Sequence, residues 1–490
     1  MARQSGERFR NAGPRLSGLV AGAFRGRTPA LCLLLSLALL LLSCGRAPAE
    51  RVRRVIYWEK WTGFEGAAMD RVVERFNARE RARGAQDASY RPIQVERVTV
   101  SEIEQKLLVA IAGKNPPDVA GFYSYLLATY ADKGALTDLT PRLEAANIER
   151  STYLERYFDM GVHRDRVWAL PVTPSSIALH WNRRLFAEAG LDPDVGPRTI
   201  EELDAFAERL TRWEVTLPDG QKRIESGYLP HVPAERKRLL QAGFLPTDPI
   251  WWPYVWGSFF GGSLTDEHGN ASTDSPDNVR GYEWFGSYAR KLGVGAVQRF
   301  RSGFGKFSTP QNPFLSGKIA MQLQGVFMFN FIQQYAPGLQ WSVGPFPHPE
   351  DRPELARHTL RDLDILVIPR DSRHPDEAFE FIRYVSSPEV LERLCLEHRK
   401  FTPLKEVSAD FWREHPHPHI RMFRELAASE SAFSVPKVNV WNEYLRDLSS
   451  ATDSIQHLTR SPREALGAVR TRVQRSIDRE RRALELRNRR

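Results

Sequence analysis

Apolar residues recur along this chain with two periods, and the alternation between them points to a fold class. Val52 to Trp58 closes on Val-Ile-Tyr-Trp and reads as a first strand. Beyond Trp61-Thr62-Gly63, the residues Met69, Val72, Val73 and Phe76 fall at i, i+3, i+4 and i+7, the stripe of a helix buried on one face. Pro92 to Val100 predicts a second strand. Ser101 and Glu104 have the spacing of a capping box, opening a helix with Ile103, Leu107, Ala110 and Ile111 on one side and Gly113 as its stop. Pro116 to Gly121 turns into a third short strand, and a third helix ends at Gly134. Three strand-helix alternations predict an α/β layer on a mainly parallel sheet, where ligands sit outside the carboxyl ends of the strands. Trp58, Trp61, Tyr123 and Ser124 stand at those ends.

From about Pro174 to Ser342 the pattern changes to more helix, many aromatics and loops rich in Gly and Pro. Asp362 to Pro369 returns to a strand. Two helices follow, from near Pro375 and Pro388, each with proline where the missing N–H costs nothing. The last hundred residues read as helices. At the other end, Ala30 to Leu42 is almost wholly apolar, shorter than the ~20 residues that a spanning helix needs. Six arginines against one glutamate precede it, and Ser43-Cys44 close it, the layout of a cleaved export signal.

The charge of +9 over 490 residues changes meaning once it is located. The leader contributes +5 and Thr471–Arg490 another +5, which leaves a middle of −1. A near-neutral body with two basic ends is no nucleic-acid surface. The basic tail reads as a solvated helix end or a frayed terminus. Of three cysteines, Cys32 lies in the leader and Cys44 at its close, so the rest of the chain has no partner for Cys395, which shares a helical face with Leu391 and Leu394 and reads as a buried thiol. His415-Pro-His417-Pro-His419 could present alternate side chains to one side, but no Cys or downstream His completes a ligand set, and no metal or cofactor is expected. No nucleophile elbow or phosphate loop appears, and no acidic pair lies in a motif for acid–base work.

Several segments, in order, resemble the extracellular solute-binding proteins of carbohydrate ABC importers, the group similar to maltose-binding protein. They are Asn115-Pro-Pro-Asp-Val119 with Tyr130 to Leu136; Val167-Trp-Ala-Leu-Pro-Val172 with Leu179 to Phe186, where Trp181 stands for the usual Tyr; Phe314 to Gly325; Leu366-Val-Ile-Pro369 with Ala378 to Ile382; and Ser461 to Leu466. Leu41-Leu42-Ser43-Cys44 also resembles a bacterial lipobox, with Leu42 where a smaller residue is usual. The resemblance implies an α/β, two-lobed periplasmic-binding-protein type II fold with three hinge crossings, near Val172-Thr173, Ser342–Pro345 and Lys400–Thr402. The expected organisation is a signal peptide at 1–43, a tether at 44–51, an N-lobe of 52–172 with 344–400, and a C-lobe of 174–343 with 401–490. It further implies a monomer without enzymatic activity, exported, lipidated at Cys44 and held on a membrane beside the transmembrane subunits of its permease. The cargo would be a carbohydrate, with a polyol or glycerol-phosphate as the alternative. A periplasmic carbohydrate-active enzyme or sensor on the same fold is the reading from another class.

A sugar offers faces of C–H groups, which suit aromatic rings, and a rim of hydroxyls, which suits amides and carboxylates. Core packing competes with ligand contact for every large aromatic. Trp251 to Trp256 reads as helical, so that Trp252, Val255 and Phe259 share a buried face and Trp256 turns to ligand. Trp58, Trp61 and Trp441 join it. Polar candidates are Glu65, which is equally a first-turn residue at a helix N-terminus, with Tyr123, Ser124 and Thr173. Gln324-Gly325 is read as a helix start offering free N–H groups, with Phe327 where the family has Trp. Asp362-Leu363-Asp364 replaces the family's Gly-Gly, and Asp364 is either a loop carboxylate facing solvent or one facing ligand.

Overall fold

The computed structural model describes residues 52–305 and 307–488. The expected leader, the tether and Cys44 lie outside the described residues. Twelve strands occur among them: β1 (Arg53–Glu59), β2 (Ile93–Thr99), β3 (Val119–Tyr123), β4 (Val162–His163), β5 (Arg166–Val167), β6 (Leu170–Asn182), β7 (Arg212–Thr216), β8 (Lys222–Ser226), β9 (Lys237–Phe244), β10 (Ile319–Gly325), β11 (Trp341–Gly344) and β12 (Arg361–Val367). Ten form one sheet in the order β2-β1-β3-β12-β6-β10-β9-β7-β8, with β11 also on β6. β1 runs parallel to β2 and β3, as expected, whereas β12 is antiparallel to both β3 and β6.

β6 joins the two halves. Its first part, Leu170 to Ser176, pairs with β12, and its second, Ile177 to Trp181, pairs with β10. The change of partner falls between Ser176 and Ile177, four residues past the crossing expected near Val172-Thr173. The strand is buried along almost its whole length, and the short polar stretch Thr173 to Ser176 lies just before the point. The α/β, two-lobed class is the one observed.

Each half has its own core. On one side the helix Gly63–Gln86 lays Ala68, Met69, Val72, Val73 and Phe76 against β1 and β2, the stripe read from the sequence. The helices Pro375–Val385 and Pro388–His398 complete that cluster. Cys395 is fully buried in it, and burial pushes its thiol pKa up. The other half packs Trp213, Trp256, Trp284 and Trp441 around β9 and β10.

Two local expectations fail for stated reasons. The helix after Ser101 starts at Ile103 behind Glu102, whose φ of 53° is incompatible with an extended cap, and Ser101 instead accepts a hydrogen bond from Lys106 (3.1 Å). Residues 251–256 form successive turns, with only a short 3₁₀ segment at Ser258–Phe260. The basic tail is the end of a helix, Pro462–Asn488, which is the first of its two readings, and that helix is joined to the body by Arg470–Asp274, Arg472–Asp447 and Arg479–Glu443 ion pairs. Among the described residues no helix is long and apolar enough to cross a membrane.

Candidate functional site

β1 ends at Glu59, β3 at Tyr123, and β12 runs past both with Asp362 and Asp364 on it. These ends open on a cavity of about 510 Å³. Its floor is a chain of charges. Lys60 meets Asp364 at 2.9 Å and Glu59 at 3.5 Å; Lys400 meets Asp364 and Glu65, each at 3.3 Å. Thr173 donates to Asp364 at 2.7 Å. Burial alone would raise Asp364, but Lys60 and Lys400 outweigh it and hold the carboxyl well below the usual range. Burial likewise works against both lysines, and the carboxylates outweigh it and keep them charged. The Lys60 ammonium also lies 4.9 Å and 4.6 Å from the ring centres of Trp61 and Tyr123.

Asp362 differs from its neighbour. Its hydrogen bond among the described residues comes from the Leu363 N–H (2.8 Å). Burial first, then the nearby Asp364, raises its pKa to about 6. Asn330 donates to the His398 carbonyl at 3.3 Å and leaves its buried side-chain oxygen unpartnered among the described residues. These two groups are open acceptors on the cavity.

The facing wall is aromatic. Trp251, 43% exposed, meets the edge of Phe307 at 4.2 Å between ring centres and Trp252 at 5.8 Å. Phe327 sits against all three rings, at 6.0–6.5 Å. Tyr254 and Trp441 pack edge to face at 5.2 Å and complete the wall. Uncharged ring faces on one side and charged or amide groups on the other suit a ligand with both C–H faces and hydroxyls.

Of the residues singled out in the sequence, Trp61, Glu65, Tyr123, Phe327, Asp364 and Trp441 line this cavity. Glu65 occupies the first turn of its helix and the cavity edge together, so both readings of it apply. Asp364 lies in a strand, not a loop, and faces the cavity. The other six stand elsewhere. Trp256 is 4% exposed and packs against Trp284, Phe285 and Phe346, because the turns at 251–256 break the helical face on which its placement rested. Trp58 is half-buried against a core cluster, on the opposite face of β1 from Tyr57 and Glu59. Thr173 acts through Asp364. Ser124 lines a neighbouring crevice shared with Asp362. Gln324 is fully buried in β10, and Gly325 ends that strand, because the helix begins only at Met328.

Sequence reasoning missed Lys60, Asp362, Lys400, Trp251, Trp252, Phe307 and Asn330. Lys60 had a usable signal, since it follows a strand at its carboxyl end. Phe307 had none, lying in a loop whose position only the fold supplies. Among the described residues no group of three His, Cys, Asp or Glu is placed to hold a metal; the three histidines at 415–419 instead pack with Phe411, Trp341 and Phe423.

Comparison with known proteins agrees with this fold. Residues 66–392 match the family described as bacterial extracellular solute-binding proteins. A putative binding protein of Brucella abortus is 21% identical over 306 residues, 62% of this chain and 67% of that protein. The sn-glycerol-3-phosphate-binding periplasmic protein UgpB of Yersinia pestis is 27% identical over 172 residues, 34% of this chain and 37% of that one. Among solved structures, mannobiose-bound CpMnBP1 superposes with a TM-score of 0.70 at 26% identity, covering 85% of this chain and 98% of that one.

Proposed function

We propose that this chain, which belongs to the bacterial extracellular solute-binding protein family, captures an uncharged carbohydrate in the cleft and delivers it to an ABC permease. The observation that carries the reading is the division of the cavity into an aromatic wall and a charge-compensated floor. Lys60 and Lys400 are each already paired with carboxylates, and the cavity lining holds one more acid than base, Glu65, Asp362 and Asp364 against the two lysines. A phosphate monoester would have to displace these pairs and face a surplus of negative charge. A neutral sugar keeps them and adds hydroxyl donors to Asp362 and the Asn330 oxygen. The UgpB relative supports glycerol-phosphate as the second reading, and the mannobiose complex supports the first.

The contact residues in this reading are Trp61, Glu65, Tyr123, Phe327, Asp364 and Trp441, joined by Lys60, Asp362, Asn330, Lys400, Trp251 and Trp252. The lobes are 52–172 with 344–400 and 174–343 with 401–490, and they close around the bound ligand as a hinge. The chain works as a monomer outside the cytoplasm, tethered through a lipid on Cys44, and does no chemistry on its cargo.

Calorimetric titration with mannobiose and with sn-glycerol 3-phosphate tests the cargo. Saturable binding of the sugar and none of the phosphate is expected; tighter binding of the phosphate reverses the assignment. Release of new reducing ends from the sugar would replace the binding role with an enzymatic one. For the anchor, Cys44→Ser moves the protein out of membrane fractions, and a variant that stays with the membrane contradicts lipidation.

A further inference from the structure

β9 is paired on both edges for only part of its length. On one edge β7 runs beside Lys237–Gln241. On the other, β10 joins only from Ala242, whose N–H goes to the Lys318 carbonyl at 2.9 Å. Before Lys318 the chain turns away, through Gly317 with a φ of 70°. Among the described residues no strand lies beside Lys237–Gln241 on that edge. A groove of about 820 Å³ occupies the place. Lys237, Arg238, Leu239 and Leu240 all border it. Successive side chains of a strand point to opposite faces, so the groove runs along the edge of β9 and not over one face. The helix Val294–Arg301 forms its side through Ala296, Arg299 and Phe300, at the spacing of one helical face, and Lys318 stands where β10 begins.

The lining holds four cations, Lys237, Arg238, Arg299 and Lys318, against one carboxylate, Glu235. Glu214 lies outside the lining and takes both Arg238 and Lys222, so counting that cluster leaves the surplus unchanged. The Lys237 and Lys318 ammonium groups donate to the backbone carbonyls of Leu229 and Gly303, which carry no charge to cancel theirs. Burial alone acts on Lys237, lowering its pKa, and no carboxylate opposes it. Arg299 is exposed and has no ion pair among the described residues. Charged side chains on an open strand edge keep like edges apart. Here the charge is of one sign, so it repels a second copy of the same groove and admits a strand that carries acids.

We propose that this groove receives an extended acidic segment of another protein, which pairs with Lys237–Gln241 of β9 as an added strand. Main-chain hydrogen bonds to the open edge hold the segment. Its apolar side chains cover the buried Ala296 and Phe300, and its acids meet Arg299 and Lys318 at the rim. The site does not depend on what the cleft binds.

The probe is a short synthetic peptide of alternating Asp and Val, blocked at both ends and titrated calorimetrically into the full chain. The expected result is one saturable site, with no binding of the Lys-Val counterpart. Methylating alternate backbone nitrogens of the acidic peptide keeps its charge and side chains but removes main-chain donors, and should weaken binding about tenfold. R299Q and K318Q should each weaken it about threefold, and the two together about tenfold. R463Q, an exposed position outside the groove, should leave it unchanged. No binding of the acidic peptide overturns the site. Equal binding of the methylated peptide overturns strand addition, and binding unchanged in the double variant overturns the groove as its location. Vesicles of phosphatidylglycerol test the other anionic partner. Binding to them that the double variant abolishes, with no binding of the peptide, would make the groove a lipid-facing surface and overturn the proposal.

Discussion

The two faces of the cleft are built from opposite materials. The floor, from the ends of β1 and β3 with β12 and Lys400, is a chain of lysines and carboxylates held within 2.9–3.5 Å. The wall, from residues 251–254, Phe307, Phe327 and Trp441, carries no charged group. In the floor Lys60, Lys400, Glu65 and Asp364 each have a neighbour of opposite sign, and Asp362 has no ion pair among the described residues. The wall is rigid only where its rings are packed, and Trp251 at 43% exposed is the least packed of them. The difference implies a division of labour in which the floor sets the shape and polarity of the site and the wall supplies contact area. It also implies that residues of one type have unrelated roles on the two sides of a single loop.

Trp256 against Trp251 tests that last point with the largest expected effect. Trp256→Ala removes a ring from the centre of a packed aromatic cluster and costs about 3–5 kcal/mol of stability. Trp251→Ala costs under about 1 kcal/mol, since much of that ring faces solvent. Chemical denaturation of both variants measures the contrast. Equal losses would mean that the wall is as much a part of the core as Trp256 is.

Breaking the floor comes next. Lys400→Ala leaves Glu65 and Asp364 facing each other's charge without the ammonium between them, at a cost of about 3 kcal/mol. The lysine side chain is 6% exposed, so little solvent is at hand to take its place. A loss well below 1 kcal/mol would show that this chain of charges is not what holds the floor.

A third and smaller effect distinguishes Asp362 from Asp364 by pH. The Asp362 carboxyl is raised to about 6, so the folded chain keeps that proton in a range where the unfolded chain has released it. Its contribution to stability therefore falls as pH rises from about 4 to 6 and stays lost above that. Asp364, depressed by the lysines, contributes in the reverse sense, and its share is lost only on acidification below the ordinary carboxylate range. Buried histidines such as His180 and His398, lowered by burial to about 3 and about 4, also weaken the fold on acidification, so the comparison must be between variants. Asp362→Asn should be more stable than the unmodified chain by roughly 2 kcal/mol at pH 7 and equal to it at pH 4. A difference independent of pH would mean that the Asp362 carboxylate is matched by a partner and is no open acceptor.

The floor was more legible in the sequence than the wall, for a physical reason. Strand and helix periodicity places the ends of β1 and β3, and hence Trp61, Glu65 and Tyr123, because a parallel layer fixes where its strands point. Asp364 stood out because two acids replace two glycines in a segment otherwise matching the family. The wall comes from turns, where no period applies. Assigning a helical face to Trp251–Trp256 put the wrong tryptophan in the cleft, and Phe307 and Asn330 reach it only through long-range packing. The length of β6 was hidden for a related reason, since a strand buried on both faces shows no alternation at the point where it changes partners.

The smallest effect bears most directly on cargo. Stacking one sugar face on Trp251 removes on the order of 50 Å² of apolar surface from water, worth about 1–2 kcal/mol. Trp251→Ala should therefore weaken mannobiose binding by about tenfold, with the enthalpy of the remaining polar contacts little changed. Trp251→Phe, which keeps a ring face, should recover most of the loss. Asp362→Asn acts differently, since an amide oxygen still accepts from a hydroxyl, and it should weaken binding less than Trp251→Ala does. If Trp251→Phe recovered nothing while Asp362→Asn abolished binding, recognition would reside in the floor, and the wall would serve only to exclude water from it.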